Sequence, residues 1–475
     1  MNSNTEILRR LFYQWTGNYP GDVIPLPPSG SQRKYFRLNA GDKSAIGAWN
    51  PVVEENEAFL YFSGHFRKHG LHVPEIYEVD ARKEVYLMED LGDTSLFTLT
   101  GKRDPSAEFP PELVDLYSAS LKELVRFQVV ACKDLDYSFC YPYPTFDARS
   151  MKWDLNYFKY YFLKLHADFH EGKLENDFHT LVDFLSKANA GYFMYRDFQS
   201  RNIFIKNNVP YFIDYQGGRK GPLQYDVASL LFQVKADLPF ELRETLLDEY
   251  ISELEQLIAV DKESLKKHYY GFVLIRLLQV LGAYGYRGIL EKKPHFLASI
   301  PFALKNLRWW LANTDPGIDI PELKKALEKL SVLEQYSLND PGNTPGVLTV
   351  NIKSFSYRQG IPSDRSGNGG GFVFDCRALP NPGREERYRA FNGKDQIIID
   401  YLKDKPEVID FLENTEQLVS RSVDNYLSRG FTGLSVYFGC TGGQHRSVYC
   451  TETMAKRLME RYPDIKIIVE HLIFN

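Results

Sequence analysis

The sequence predicts an α+β two-lobed domain followed by a separate α/β domain, and three observations predict it. The first 92 residues read mainly as strands and turns around one helix, whereas most of 93–335 reads as helix. A polar segment, YFMYRDFQSRNIFIKNNVPYFIDYQGG, alternates short β runs with tight turns between two helical stretches. At 336–346 the stretch YSLNDPGNTPG is rich in Pro, Gly, Asn and Asp, which end helices and strands, and strands alternate with helices beyond it.

Each element has its own signal. MNSNTEILRRLFYQW has the spacing of an amphipathic helix. KYFRLNA, SAIGAWN and EVYLMED carry strand-type residues, and ENEAFLYFSGHFRKHG reads as a helix ended by glycine. Residues 110–187 and 224–335 are predicted mostly helical, the latter ending in PELKKALEKLSVLEQ. The expected domains are 1–335 (small lobe about 1–92, helical lobe about 93–335), a linker at 336–346, and 347–475. Within the last, LSVYFGCTGGQHRS predicts a buried strand, a glycine-rich turn and a helix starting near Arg446. Ser366 to Gly371 is expected as a surface loop.

Composition narrows the function. At 44% hydrophobic and 25% charged residues the chain has material for sizeable cores. A net charge of −5 supplies no global basic field, so nucleic acid is not the expected partner, with the C-terminal domain left open to it. No apolar run approaches the roughly 18–20 residues that span a bilayer, so no membrane partner is expected. The N-terminal stretch lacks a signal peptide's apolar middle and small-residue cleavage site, and the expected location is the cytoplasm. Cys132, Cys140, Cys376, Cys440 and Cys450 are scattered without a CxxC pair, which argues against a disulfide framework or structural zinc site.

The chemistry concentrates in YRDFQSRN. Asp197 and Asn202 lie five residues apart on a loop between apolar runs; Asp214 follows at the end of the strand-like YFID, and Asp226 in QYDVASLLFQV. Phosphoryl transfer calls for such a set: a carboxylate that orients and deprotonates the accepting hydroxyl, and an amide oxygen and second carboxylate that hold magnesium on the ATP phosphates. Turn chemistry alone explains a single Asp-x4-Asn, because Asp and Asn bond their own backbone in turns. The ordered set, each acid beside a β-type run, favours the chemical reading.

This pattern resembles the aminoglycoside phosphotransferase and choline kinase superfamily, relatives of protein kinases, with Tyr195 where the family typically has His. The resemblance implies a protein-kinase-like fold with ATP and Mg2+ as cofactors. It makes Asp197 the catalytic base, Asn202 and Asp214 magnesium ligands, and Asp226 structural, capping a helix and tying down the catalytic loop. In PPSGSQRKYFRL it implies a phosphate-covering turn with Gly30 and Ser31 at its tip. It assigns Glu57 to a lysine–glutamate phosphate clamp, but the expected strand offers only Gly47, Ala48 and Trp49, with Lys43 out of position. It places adenine against Met88 and backbone groups around Glu89 and Leu91. GSQRKYFRL, the lysine-less strand, MEDLGD and YRDFQSRN together resemble the bacterial anomeric sugar kinases of cell-wall recycling. Those act on N-acetylmuramate and N-acetylglucosamine, which implies a small-molecule sugar substrate.

In the C-terminal domain, the glycine turn and following helix N-terminus form an expected anion pocket. SFSYRQGIP, FVFDCRALPNP and GCTGGQHRSVY resemble the C-terminal domain of RapZ, the RNase adaptor. The resemblance implies a ligand like glucosamine-6-phosphate, held by Thr441, Gly442, Gly443, His445, Arg446 and Ser447 with help from Arg377; Gly383 stands where the family commonly has His. Cys440 and Arg446 also have the C-x5-R spacing of cysteine phosphatases. RapZ's own nucleotide-binding domain is not expected, because no GxxxxGK occurs. Two other functions compete with the sugar kinase: a regulatory binding protein with a degenerate kinase lobe, which the missing strand lysine favours, and an aminoglycoside or choline kinase.

Overall fold

The computed structural model describes residues 3–27, 32–104, 107–333, 336, 347–362 and 371–473. Gly30, Ser31, nearly all of 336–346 and most of the Ser366–Gly371 stretch lie outside the described residues. Two compact units emerge: Met1–Leu290 with Ser299–Tyr336, and Glu291–Ala298 with Ser337–Asn475.

The first unit opens with helix α1 (Ser3–Thr16). Its Leu8, Leu11 and Phe12 are buried against Leu38, Ala45, Val85 and Leu87 of the small-lobe sheet. That sheet holds β1 (Asp22–Pro25), β2 (Lys34–Ala40), β3 (Lys43–Trp49), β4 (Ile76–Val79) and β5 (Val85–Glu89). All its pairings are antiparallel, in the order β1-β2-β3-β5-β4. Tyr35, Ala48 and Tyr86 form one row across its middle strands, so their side chains share a face. Helix α2 (Val53–Lys68) connects β3 to β4, and Gly70, at φ +71°, turns the chain just past its end.

The helical lobe carries the polar segment of 192–221 on two small antiparallel pairs. β6 (Tyr192–Met194) pairs with β9 (Arg219–Gly221), and β7 (Ile203–Lys206) with β8 (Val209–Phe212). Asn207 and Asn208, both at positive φ, make the two-residue turn between β7 and β8, as the twist of a tight hairpin requires. The helix Leu223–Leu231 is wholly buried beneath this segment. The helical stretch Lys262–Leu290 is long and apolar enough to cross a membrane by length and composition, though it holds no unbroken apolar run of that length. Of that apolar window 56% is buried inside the protein, and Gly282 lets the helix approach the backbone of Phe158 so closely that a Cβ would sit 2.8 Å from its nitrogen. Its hydrophobicity serves a helix crossing in the lobe's core.

The second unit has a parallel sheet of β10 (Thr349–Ser356), β11 (Phe372–Asp375), β12 (Gly433–Cys440) and β13 (Lys466–His471), in the order β11-β12-β10-β13. Helices Gln396–Leu402, Pro406–Ser428 and Arg446–Arg461 flank it. Its core joins Val350, Ile352, Val436 and Phe438 of the strands to Leu412, Val419 and Met454 of the helices. A kinase-like α+β domain is thus followed by a separate domain with a parallel sheet.

Candidate active site

Asp197, Asn202 and Asp214 come together. Asn202 lies in a short 3-10 turn, Ser200–Asn202, and its side-chain Nδ2 donates to the Asp197 carbonyl at 2.9 Å and to Asp214 Oδ2 at 3.1 Å. With its nitrogen spent on two acceptors, the amide's oxygen is directed elsewhere. Gln216 Nε2 donates to Asp214 Oδ1 at 2.7 Å, and Gln199 Nε2 to Asp197 Oδ1 at 3.3 Å. Arg276 Nη2 lies 3.9 Å from Asp197 Oδ1. Asp214, at φ +70°, and Arg196, at φ +76°, both hold the left-handed backbone that non-glycine residues rarely adopt. Such strain persists where surrounding bonds over-determine the conformation.

Those bonds come from Asp226 and Tyr195. Asp226 is fully buried; its carboxylate accepts from the backbone N–H of Tyr195 (2.7 Å) and of Arg196 (2.9 Å), and from Gln128 Nε2 (3.1 Å). Tyr250 in turn donates its hydroxyl to Gln128 Oε1 at 2.6 Å. Asp226 therefore ties down the loop, but the expected helix cap is not found: it sits inside the helix Leu223–Leu231, whose N-cap is Pro222. Tyr195, standing where His was typical, is fully buried and donates its hydroxyl to the Ile213 carbonyl at 2.6 Å, fastening the loop to the residue before Asp214.

Electrostatics separates the carboxylates. Burial, then the charge of Asp197, raises the Asp214 pKa to about 6, while the Gln216 hydrogen bond and the charges of Arg33 and Arg201 pull it back. Burial raises that of Asp226 to about 7 against its three hydrogen bonds. Arginines crowd the loop: Arg196 pairs with Asp154 at 2.9 Å, and Arg219 and Arg276 are both buried.

The small-lobe residues divide. Met88 and Leu91 are buried near the end of β5. Glu89 spends its backbone N–H on the Glu75 carbonyl (2.8 Å) and pairs its carboxylate with Lys206 (2.6 Å), so its donor is not available to a base. Glu57 is not part of the cluster around Asp197 and Asp214: it pairs with Lys83 at 2.6 Å, both half-exposed. Glu55 instead pairs with the buried Arg33 at 3.1 Å. Sequence reasoning missed Glu55, Arg33, Gln216 and Arg276. Arg33 and Gln216 sit inside the motif segments already singled out, and Glu55 lies two residues from the acid chosen.

In the second unit the turn after β12 is knitted to its surroundings. Gly443, at φ +73°, donates its N–H to Cys440 Sγ at 3.2 Å, and Ser356 Oγ donates to the Thr441 carbonyl at 2.8 Å. Ser447 is fully buried with its hydroxyl 3.2 Å from Cys440 Sγ. Arg446, also buried, donates through Nη1 to the carbonyls of Arg377 (2.8 Å) and Leu379 (3.1 Å). His445 Nε2 lies 3.1 Å from the Tyr388 carbonyl, and a Cβ at Gly383 would sit 3.3 Å from its ring. Arg377 is half-exposed, pairs with Asp375 at 2.7 Å and lies over the Tyr357 ring at 4.0 Å. Thr441 and Gly442 remain exposed at the turn's tip. Cys440 is buried, at 3% exposure, which closes the thiol off from a phosphatase's substrate.

A two-lobed α+β fold with paired acids and an asparagine on a strained loop between them defines a phosphotransferase-like protein. Residues 22–264 match the phosphotransferase enzyme family (APH), and the chain belongs to that family. Residues 348–474 match the RapZ C-terminal domain. A nucleotide-binding protein of Azoarcus sp. (strain BH72) is 40% identical over 124 residues, 26% of this chain and 40% of that protein. One from Pseudothermotoga lettingae is 37% identical over 159 residues, 34% of this chain and 50% of that protein. The chain thus spans at most half the length of these curated relatives. Among solved structures, the choline kinase of Cryptosporidium parvum Iowa II is 14% identical, covering 68% of this chain and 99% of its own, with a TM-score of 0.46. The spectinomycin phosphotransferase APH(9)-Ia, in complex with ADP and spectinomycin, is 11% identical, covering 68% and 98%, with a TM-score of 0.42.

Proposed function

We propose that the chain is an ATP-dependent kinase of a sugar hydroxyl, with N-acetylmuramate or N-acetylglucosamine at the anomeric position as the acceptor class. The observation that carries this reading is the position of Asn202, whose amide nitrogen bridges Asp197 and Asp214 and so aims its oxygen away from both. Oxygen donors of this kind suit magnesium, and Asn202 and Asp214 would hold it. When bound, the ion supplies neutralisation of the charge on the transferring phosphoryl group. Asp197, the more open of the two carboxylates, accepts the hydroxyl proton and orients the attacking oxygen. Gln216 and Asn202 hold Asp214 in place, and Asp226 holds the loop on which Asp197 rides.

The surroundings of Asp197 favour a sugar acid over a cationic acceptor. Arg219 and Arg276 are buried beside the loop, and among the described residues neither has a carboxylate within ion-pairing distance except Asp197 for Arg276. Buried cations without a full counter-charge call for an anionic ligand group. An aminoglycoside or choline site would need carboxylates there instead. The reading sets the enzyme in the cytoplasm, where ATP is available. The domain division follows the same reading: kinase over 1–335, sensor over 347–475.

The test is transfer from labelled ATP to a panel of neutral, acidic and cationic sugars, with the product linkage identified by NMR. Transfer to an acidic or N-acetylated sugar, lost in Asp197→Ala, is the expected result. If wild type and Asp197→Ala consume ATP equally slowly with every acceptor, the regulatory binding protein replaces the kinase. The C-terminal domain is proposed to sense an amino-sugar phosphate through the exposed Thr441 and Gly442, ahead of the helix Arg446–Arg461, with Gly443 shaping the turn. A glucosamine-6-phosphate titration that changes neither heat of binding nor kinase rate removes that part.

A further inference from the structure

The one lysine of β3, Lys43, starts the strand on the face opposite Ala48, with its Nζ 6.0 Å from the Trp15 ring, yet the small lobe buries a cation one strand away. Arg33 is only 5% exposed. Its Nη2 lies 3.1 Å from Glu55 Oε1, and its Nη1 donates to the Tyr35 hydroxyl at 3.3 Å. Burying a guanidinium is costly unless strong partners hold it. Glu55 is itself fixed, because its second oxygen accepts from Asn50 Nδ2 at 2.7 Å. Asn50 is buried, and its own side-chain oxygen accepts from the Val52 N–H at the entry to α2.

The sheet register shows what this pair replaces. Tyr35, Ala48 and Tyr86 share one row and one face. Arg33, two residues before Tyr35, lies on that face one row further out. Ala48, the β3 member of the row, is short, so β3 sends no long side chain into this space. The helix bearing Glu55 is fastened to the catalytic segment. Ser63 Oγ and the Tyr215 hydroxyl are 2.6 Å apart, and the Phe59 ring stacks on Tyr86 at 5.3 Å and on Tyr215 at 5.1 Å. Tyr215 directly follows Asp214, and the Arg33 charge acts on the Asp214 carboxylate. The arginine, its glutamate and the candidate metal ligand are thus parts of one braced assembly.

Resting on the phosphotransferase reading, we propose that Arg33, held by Glu55, is the cationic contact to the nucleotide's phosphates, relocated from β3 to the residue before β2. A guanidinium suits the task, because it stays charged and can meet phosphate oxygens two at a time. The lack of a lysine on the Ala48 face of β3 is then no sign of a degenerate lobe, and Glu55 rather than Glu57 is the clamp's acid.

The test compares binding of Mg-ADP and of adenosine to the full chain by calorimetry, alongside ATP kinetics. Arg33→Ala should weaken Mg-ADP about 10- to 100-fold and raise the KM for ATP similarly, leaving adenosine affinity unchanged. Arg33→Lys should recover part of the loss, and Glu55→Gln should show a smaller loss of the same kind. These two variants keep the test open if Arg33→Ala melts early. Mg-ADP binding within twofold of wild type in Arg33→Ala, or equal losses for adenosine and Mg-ADP, overturns the clamp. A wild type that transfers phosphate while Arg33→Ala does so equally well sinks the clamp alone. A wild type that binds Mg-ADP through Arg33 but phosphorylates no acceptor sinks the kinase and keeps the clamp, and one that binds no nucleotide sinks both.

Discussion

The loop at 195–202 and the turn at 440–447 are both short polar segments leading out of a strand, and the structure uses their side chains in opposite ways. In the first, Tyr195 and Asp226 do the holding from below, through the Ile213 carbonyl and the loop's backbone N–H groups. Asp197 stays partly open and the Asn202 oxygen is left over. In the second, the residues with ligand-like chemistry do the holding themselves. Arg446 is spent on two carbonyls, Ser447 on Cys440, and Arg377 on Asp375. A polar motif becomes a site only when other residues satisfy the backbone around it; otherwise the same residue types are scaffold.

The sharpest way to break this contrast is to remove an open group and a holding group from the first segment. Asp197→Ala should lower phosphate transfer by about 10²–10⁴-fold with an unchanged melting temperature, because its carboxylate carries chemistry and supports little. Phosphate-release assays and a calorimetric melt read the two quantities. An early melt would make Asp197 scaffold and erase the distinction.

Asp226→Ala should do the reverse in emphasis. Two backbone N–H groups and the Gln128 amide lose their acceptor in a dry interior, at a cost of about 2–4 kcal/mol by chemical denaturation. The Asp226 pKa, raised to about 7, also has a consequence for pH. The folded chain binds this proton more tightly than the unfolded one. Its contribution to stability is therefore fully present below pH about 4 and is lost as pH rises to about 7. Asp226→Asn should flatten that part of the stability profile between pH 4 and 8, measured by urea unfolding; an unchanged slope would assign it to another group.

The same logic explains what could be read in advance. Strands such as KYFRLNA coincide with β2 because alternation and β-branched or aromatic content are local properties. Asp197, Asn202 and Asp214 were readable because their spacing along the chain is itself the motif. Arg33 and Glu55 were not, because their partnership spans the β2–α2 gap and depends on which face of each element turns inward. A shift from position 57 to 55 on α2 rotates a side chain by about 200° around the helix, from the Lys83 side to the Arg33 side, which spacing alone does not fix. The average apolarity of Lys262–Leu290 does not show as a run in the sequence, because lysines near its start and Arg276 and Arg287 further on interrupt it.

The smallest effects belong to the second segment, and they decide whether it is scaffold or site. Removing the Arg446 guanidinium leaves the carbonyls of Arg377 and Leu379 without their donor, so Arg446→Ala should destabilise the C-terminal unit by about 1–3 kcal/mol. Ser447→Ala loses one weak contact to sulfur and should cost about 1 kcal/mol or less. Thr441→Ala touches a side chain already exposed at the turn's tip and should leave stability within about 0.5 kcal/mol while weakening any sugar-phosphate bound there. Melting curves and glucosamine-6-phosphate titrations on the three variants separate the roles. The contrast holds if Arg446→Ala moves stability before affinity and Thr441→Ala moves affinity alone. It fails if Arg446→Ala abolishes binding at an unchanged melting temperature, because the guanidinium would then be turning from its carbonyls to the ligand, and the second segment would be a site of the same kind as the first.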